Sequence, residues 1–215
     1  MRSAHKLAYL KGCLACCALG TSDLAHSCEF LIAAVNPKKT PKIEIMKPAW
    51  LAKLSPTWRA RMVRMGFNFH PAFRGTGGRV VHVAKDLRHI RVRLPLNWKT
   101  KNIVGSLYGG SLFAITDGAH PMMLMAALGD GFIVWDKAAS IRYRKPGLST
   151  LYADFVLSGE EVETIGHLLT EYPELERSYL VELKDRHGVV HAVVERTVYI
   201  AEKDYYRQKS GGGDK

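Results

Sequence analysis

Gly109, Gly110 and Asp117 are the residues whose types and spacing point most directly to chemistry. The two glycines open an apolar stretch, residues 106–128, that reads as a helix. At a helix start the first backbone N–H groups have no intrahelical partner, and the positive end of the dipole points outward. A carbonyl lodged there would have negative charge developing on its oxygen stabilised. Glycine carries no side chain to obstruct its approach. The plainer reading is a tight helix start that needs glycine for packing, and the residue types leave both open. Asp117 lies seven residues beyond Gly110, about two turns, so the two point roughly the same way. A carboxylate inside so apolar a helix is costly to keep. Desolvation would lift its pKa above the usual value of about 3.9 and improve it as a base. The alternative for Asp117 is a pairing with a neighbouring arginine or with a polar group of a partner subunit. Pro121 cannot donate to the carbonyl of Asp117, so the helix should bend there. His120, the other titratable group of this helix, reads as structural.

These residues need elements to position them. Leu107, Leu112, Phe113, Ile115, Met122, Met123, Leu124, Met125 and Leu128 surround the helix instead of forming a stripe. A helix apolar on all sides is buried or spans a membrane. Asp117, His120 and Pro121 near the middle, with amphipathic strands on both sides, speak against a span. Period-two alternation marks the strands. In residues 87–94, Ile90, Val92 and Leu94 oppose His89, Arg91 and Arg93. In residues 132–145, Ala139, Ile141 and Tyr143 oppose Ser140, Arg142 and Arg144. Further strands are predicted over 79–84, 150–158, 178–184 and 189–202, the last two joined by the turn Asp185-Arg186-His187-Gly188. Residues 160–174 read as helical or irregular. The order is two strands, one long buried helix and four strands: an α+β chain with an antiparallel sheet of five to six strands wrapped around the helix. One helix with such a sheet cannot cover both its faces in one protomer, so association through the sheet edge or the helix face is expected.

The remaining chain divides around this unit. Residues 1–45 read as a poorly ordered extension, 46–77 as an amphipathic helix and a loop, 78–204 as the domain, and 205–215 as a disordered tail. Ser55-Pro56 is a helix start with proline in the first turn and Gly66 its predicted stop. Leu54, Trp58, Met62 and Met65 form an apolar side expected to pack on the domain rather than on a membrane. Residues 67–78 are expected to be a loop. All four cysteines, Cys13, Cys16, Cys17 and Cys28, precede residue 30, so no disulfide is expected to hold the core. Cys13 and Cys16 have zinc-ligand spacing, but a second matching pair is missing, and no metal is expected. No clear cleavage site follows residues 7–20, which favours a cytoplasmic protein. The net charge of +11 over 215 residues suits anionic partners without choosing among them.

The stretch Asn102-Ile103-Val104-Gly105-Ser106-Leu107-Tyr108-Gly109-Gly110-Ser111-Leu112, followed by Asp117, resembles the helix-start motif of hotdog acyl-CoA thioesterases, most closely those of the phenylacetyl-CoA type. Their pattern has a His at the position of Tyr108 and matches at every other element. Val134-Trp135-Asp136-Lys137-Ala138-Ala139 and Arg144-Lys145-Pro146-Gly147 resemble an uncharacterised bacterial hotdog family related to those enzymes. The resemblance covers roughly residues 78–202 and implies a hotdog fold.

It also implies an acyl-CoA substrate, with coenzyme A present only as part of that substrate and no separate cofactor. The acid matching Asp117 acts in those enzymes as general base or nucleophile, and the asparagine matching Asn102 positions substrate or water. Asn102 is otherwise a polar loop residue before the helix. Asp136 falls where the relatives often carry Ser or Thr near the attacking water. Here it is either a second carboxylate beside Asp117 or a partner of Lys137. Tyr108 can donate a hydrogen bond to a carbonyl but is a much weaker acid than imidazolium. Arg91, Arg93, Arg142 and Arg144 either meet the phosphates of coenzyme A or form solvated outer faces of strands. The leading expectation is a thioester hydrolase acting as a homodimer or homotetramer. The alternative is a non-catalytic hotdog that binds acyl-CoA or a lipid. Nucleic acid is disfavoured because no recognised binding motif appears.

Overall fold

The computed structural model describes residues 54–211; the extension expected over residues 1–45, with its four cysteines, lies outside the described residues. Helix α1, Pro56–Phe69, begins where Ser55-Pro56 predicts, its proline placed where the missing N–H costs no bond. It passes through Gly66, the expected stop. His70 is extended (φ −63°, ψ 124°), as the residue before a proline prefers, and Pro71 opens a second helix, α2, Pro71–Gly75. The expected loop over 67–78 is therefore largely helical, because Pro71 restarts what it interrupts.

The apolar side of α1 does not pack inward as expected. Of that side Trp58 and Met65 are 53% and 46% exposed and Leu54 and Met62 are half-buried, whereas Ala60, outside it, is buried. Asn68 decides the orientation: its Nδ2 donates to the carbonyl of Val80 and its Oδ1 accepts from the Val80 N–H, both at 2.9 Å. This exchange ties α1 to the first strand, and Phe67 packs edge-on against Phe73 with ring centroids 5.3 Å apart.

The six strands are β1 Arg79–Val83, β2 His89–Leu94, β3 Phe132–Tyr143, β4 Leu151–Val156, β5 Glu174–Lys184 and β6 Val190–Glu202. They form one antiparallel sheet in the order β1-β2-β4-β5-β6-β3, the α+β hotdog arrangement. Ile90, Val92 and Leu94 of β2, Leu151, Ala153 and Phe155 of β4, and Val194, Val198 and Ile200 of β6 are buried on one face. Against that face lies the central helical stretch, in two segments: α3, Gly109–Ala114, and α4, Ala119–Leu128. Ile115, Met123 and Leu124 fill the core.

A third helical layer helps cover α4. Helix α5, Gly159–Glu171, is capped by Ser158, whose hydroxyl accepts from the Glu161 N–H at 3.0 Å, with Glu160 and Glu161 complementing the dipole. Its Ile165 and Leu169 are buried. The tail expected to be disordered from residue 205 is helical: α6 spans Lys203–Gly211. Lys209 Nζ donates to both oxygens of Glu174, at 2.8 and 2.6 Å, and Tyr206 stands edge-on to Trp135. Those side-chain contacts give a polar, glycine-ended segment its order. Among the described residues β3 pairs only with β6, and its positions 137–140 are exposed, so one long sheet edge is open.

Candidate active site

The helical stretch breaks over residues 115–118. The N–H groups of Thr116 and Asp117 reach back only three residues, to the carbonyls of Phe113 and Ala114 at 3.2 Å, the tighter pattern of a terminating turn. Gly118 then turns left-handed (φ 78°), a conformation glycine adopts without steric cost. Pro121 lies in the first turn of α4, where its missing donor is tolerated. The bend expected at Pro121 is thus a complete break four residues earlier, which carries the Asp117 side chain out of the apolar interior.

Asp136 approaches this break from β3. A bulge between Asp136 and Ala138 shifts the ladder register, so Val134 and Asp136 face inward before it and Ile141 faces inward after it. Such a bulge re-aims a side chain without ending the strand. Asp136 Oδ2 accepts from the Gly118 N–H at 3.2 Å.

Arg196 of β6 joins the two acids. Its Nη1 donates to Asp117 Oδ1 at 3.1 Å and to Asp136 Oδ2 at 3.2 Å, its Nε to Thr116 Oγ1 at 3.1 Å, and its Nη2 to the carbonyl of Phe113 at 3.2 Å. The guanidinium also lies 4.9 Å from the centre of the Phe113 ring. Its side chain is 5% exposed, so these donations replace the water it has lost.

Two carboxylates against one guanidinium leave an excess of negative charge. Asp136 is the acid that responds: its pKa is pushed up to about 6, first by burial and next by the neighbouring Asp117 carboxyl, against the Gly118 N–H and Arg196. Its Oδ1 is buried without a hydrogen-bond partner among the described residues, a natural seat for a proton. Asp117 does not have the buried, desolvated surroundings expected for it, because its side chain is 68% exposed. Of the two alternatives for Asp136, the structure places it beside Asp117, while Lys137 pairs with Glu176. His120 is 3% exposed and stacks on Tyr179 with centroids 4.2 Å apart. Burial, and then the charge of Arg196, lower its pKa to about 4.

The other candidates lie elsewhere. Tyr108 is the residue before α3 and is 59% exposed. A Cβ added to Gly110 would come within 2.5 Å of the Tyr108 ring, and one added to Gly109 within 2.8 Å of the Tyr143 hydroxyl. Close tyrosine approach therefore requires both glycines, as the packing reading has it. Asn102 organises its own loop, accepting at Oδ1 from the N–H groups of Val104 and Ser106 and donating from Nδ2 to Ser106 Oγ at 2.9 Å. Arg91 and Arg93 lie on β2, and Arg142 and Arg144 at the end of β3, with β4, β5 and β6 between. Arg91 stacks over Tyr152 and lies 3.7 Å from Asp154. The four arginines form no single cluster along the sheet.

Asp117 also borders a groove of about 580 Å³ between the α1–α2 pair and the helix break. Gly118 and Arg196 are the site residues that the motif did not single out. Arg196 had a signal in the alternation of Val194, Arg196, Val198 and Ile200, which puts a charge on the buried face of β6.

A family model described as a domain of unknown function (DUF4442) matches residues 59–200. No curated protein matches the chain. Among solved structures it is similar to PA5026 from Pseudomonas aeruginosa, a protein of unknown function described as a probable thioesterase. That match has 21% identity over 66% of this chain and 95% of the other, with a TM-score of 0.58. OLEI01261 from Chlorobaculum tepidum TLS, also of unknown function, matches at 13% identity over 71% and 99% of the two chains, TM-score 0.58. The thioesterase HI1161 from Haemophilus influenzae matches at 13% identity over 66% and 90%, TM-score 0.50. At these identities the likeness is one of fold. No helix among the described residues is long and apolar enough to cross a membrane.

Proposed function

The chain belongs to the family described as a domain of unknown function (DUF4442), and on that premise we propose that it is a thioester hydrolase of the acyl-CoA thioesterase type. One observation carries the reading: Arg196 holds an exposed carboxylate, Asp117, beside a buried one, Asp136, at the break of the central helix. Water held by Asp117 attacks the thioester carbonyl and gives its proton to the carboxylate. The tetrahedral intermediate collapses, the C–S bond breaks, and the leaving thiolate takes that proton, so the products are a carboxylic acid and a free thiol. Asp136 is a positioning residue here. When it ionises, the cluster gains a negative charge, which attracts the proton leaving the water.

Eight residues, about 12 Å of helix, separate Gly109 from Asp117 in one chain, so Gly109 and Gly110 would meet the carbonyl oxygen from the second copy of a homodimer, with the hydroxyls of Tyr108 and Tyr143 as neighbouring donors, and Asn102 would keep its loop in place before α3. Arg142 and Arg144 flank Tyr143, whose hydroxyl approaches Gly109, which favours them over Arg91 and Arg93 as contacts for the phosphates of coenzyme A. The open β3 edge is the surface through which a homodimer would form.

A thiol-release assay on a panel of acyl-CoA thioesters, with the wild type and Asp117→Ala, tests the reading. Loss of turnover in the variant supports it, and turnover that survives sinks it. The second reading, a non-catalytic acyl-CoA binder, is favoured by Tyr108, which stands where the related enzymes carry His and closes over Gly110. Saturable binding without turnover in the wild type would establish it.

A further inference from the structure

The groove beside Asp117 has a shape and lining that say more than the carboxylate pair does. Its walls are Val63 and Phe67 of α1, Phe73 of α2, and Ala114 and Met122 on either side of the helix break. Among the described residues its ionisable side chains are Asp117 and His70, so an anionic group would meet a carboxylate there. At about 580 Å³ it falls within the range of small-molecule sites. Its walls are held in place, α1 by the paired hydrogen bonds of Asn68 with Val80 and α2 by the Phe67–Phe73 contact.

Gly66 lines the same groove and sits in the interior of α1. Glycine is a poor residue for a helix interior, and packing among the described residues gives no reason for it, since an added Cβ would meet none of them within 4 Å. Gly78, Gly109 and Gly110 differ, because an added Cβ at each would come within 2.8 Å of a neighbour. What the missing side chain at Gly66 leaves free is room in the groove.

We propose that this groove is the acyl-chain subsite: the hydrocarbon chain of the thioester lies between α1, α2 and the helix break, with its carbonyl at Asp117. The assignment rests on the hydrolase reading for the direction of the chain, and on Gly66 and the apolar walls for its chemistry. Chain burial removes apolar surface from water, and each methylene that enters contributes about a fourfold gain in affinity until the groove is full.

The test uses the full chain and a series of non-hydrolysable acyl-CoA thioethers, from acetyl through butyryl and hexanoyl to decanoyl, with binding measured calorimetrically. The thiol-release assay is run in parallel on the matching thioesters. Wild-type affinity should climb with chain length and level off. In Gly66→Phe the ratio of decanoyl to acetyl affinity should fall more than about tenfold, the loss of two methylenes or so, and in Gly66→Ala it should fall less. Thermal melts establish that the variants fold, and Val63→Phe, one turn back on the same wall, replaces Gly66→Phe if that variant does not. An affinity independent of chain length in the wild type, or a slope unchanged by the bulky variant, overturns the assignment. The two readings fail separately: chain-length-dependent binding without turnover removes the hydrolase and keeps the subsite, whereas turnover without chain-length dependence does the reverse.

Discussion

Arg196 Nη1 lies 3.1 Å from Asp117 Oδ1, joining strand β6 to the break in the central helix. The arginine is buried and the acid is largely exposed, so the bond fixes an acid at the surface from within. One carboxylate oxygen is held while the side chain remains open to solvent. The break, the left-handed Gly118 and the β3 bulge act together: the first turns Asp117 outward, the second offers its N–H to Asp136, and the third aims Asp136 at it.

Asp117→Asn keeps the shape of the side chain and removes its capacity to take a proton. General-base catalysis contributes about 100- to 10,000-fold, so kcat for thiol release should fall by at least about 100-fold, with KM little changed. Stability should fall by only about 1 kcal/mol, the net worth of one hydrogen bond to Arg196. A large drop in melting temperature would instead give Asp117 a mainly structural role.

Asp136→Asn should flatten the pH–rate profile. In the wild type thiol release should climb as pH rises through about 6, because ionisation of Asp136 adds a negative charge beside Asp117. The asparagine variant retains acceptors for Arg196 and Gly118 but cannot ionise, so its rate should stay near the acidic wild-type level. A variant whose profile still rises through that range would remove Asp136 from the mechanism.

Arg196→Met leaves Asp136 buried without its cation, and breaking a buried ion pair on one side costs about 3–5 kcal/mol. The loss should be greatest above pH 6, where Asp136 is ionised, and smaller below it. Adding Asp136→Asn should restore much of the stability, a coupling that a double-mutant cycle measures. Additive losses in the urea unfolding of the four proteins would contradict the cluster.

The fold was legible because two periods changed cleanly along the chain. Ile90, Val92 and Leu94 alternate with charged residues, while the segment holding Leu112, Ile115, Met123 and Leu124 is apolar all round. Asp117 was legible as a misplaced charge within that segment. Its surroundings were not, because a helix that breaks and one that merely bends have the same composition, and only the break exposes the acid. The direction of Asp136 depends on a bulge at Lys137 that reverses the alternation halfway along β3, and alternation read straight through puts it on the wrong face. Arg196 was within reach, since an unbroken alternation in β6 places it among Val194, Val198 and Ile200. The outward stripe of α1 and the order of α6 rest on tertiary contacts, such as Asn68 with Val80 and Lys209 with Glu174, for which local sequence carries no period.

His120 and Asp136 should give opposite pH dependences of stability. His120 is held at about 4, below its ordinary 6.5, so the unfolded chain binds a proton that the folded one refuses. Stability is therefore lost as pH falls from about 6.5 towards 4, by up to about 3 kcal/mol at 1.36 kcal/mol per pKa unit. Asp136 is raised from 3.8 to about 6, so the folded chain keeps a proton that the unfolded one releases. Its contribution is present in acid and lost as pH rises from about 4 to 6, by a similar amount of about 3 kcal/mol. Between about pH 4 and 6 the two slopes largely cancel. His120→Phe preserves the stacking on Tyr179 and the edge contact with Phe155 and removes an unpartnered buried nitrogen. Relative to the wild type it should gain stability as the pH falls below 6.5. Asp136→Asn should gain stability relative to the wild type as the pH rises from 4 to 6. Urea unfolding midpoints at about pH 4.5, 5.5 and 7.5 separate the two groups. A His120→Phe curve running parallel to the wild type would mean that His120 is not held neutral by burial, and that any acid lability of the domain originates in its carboxylates alone.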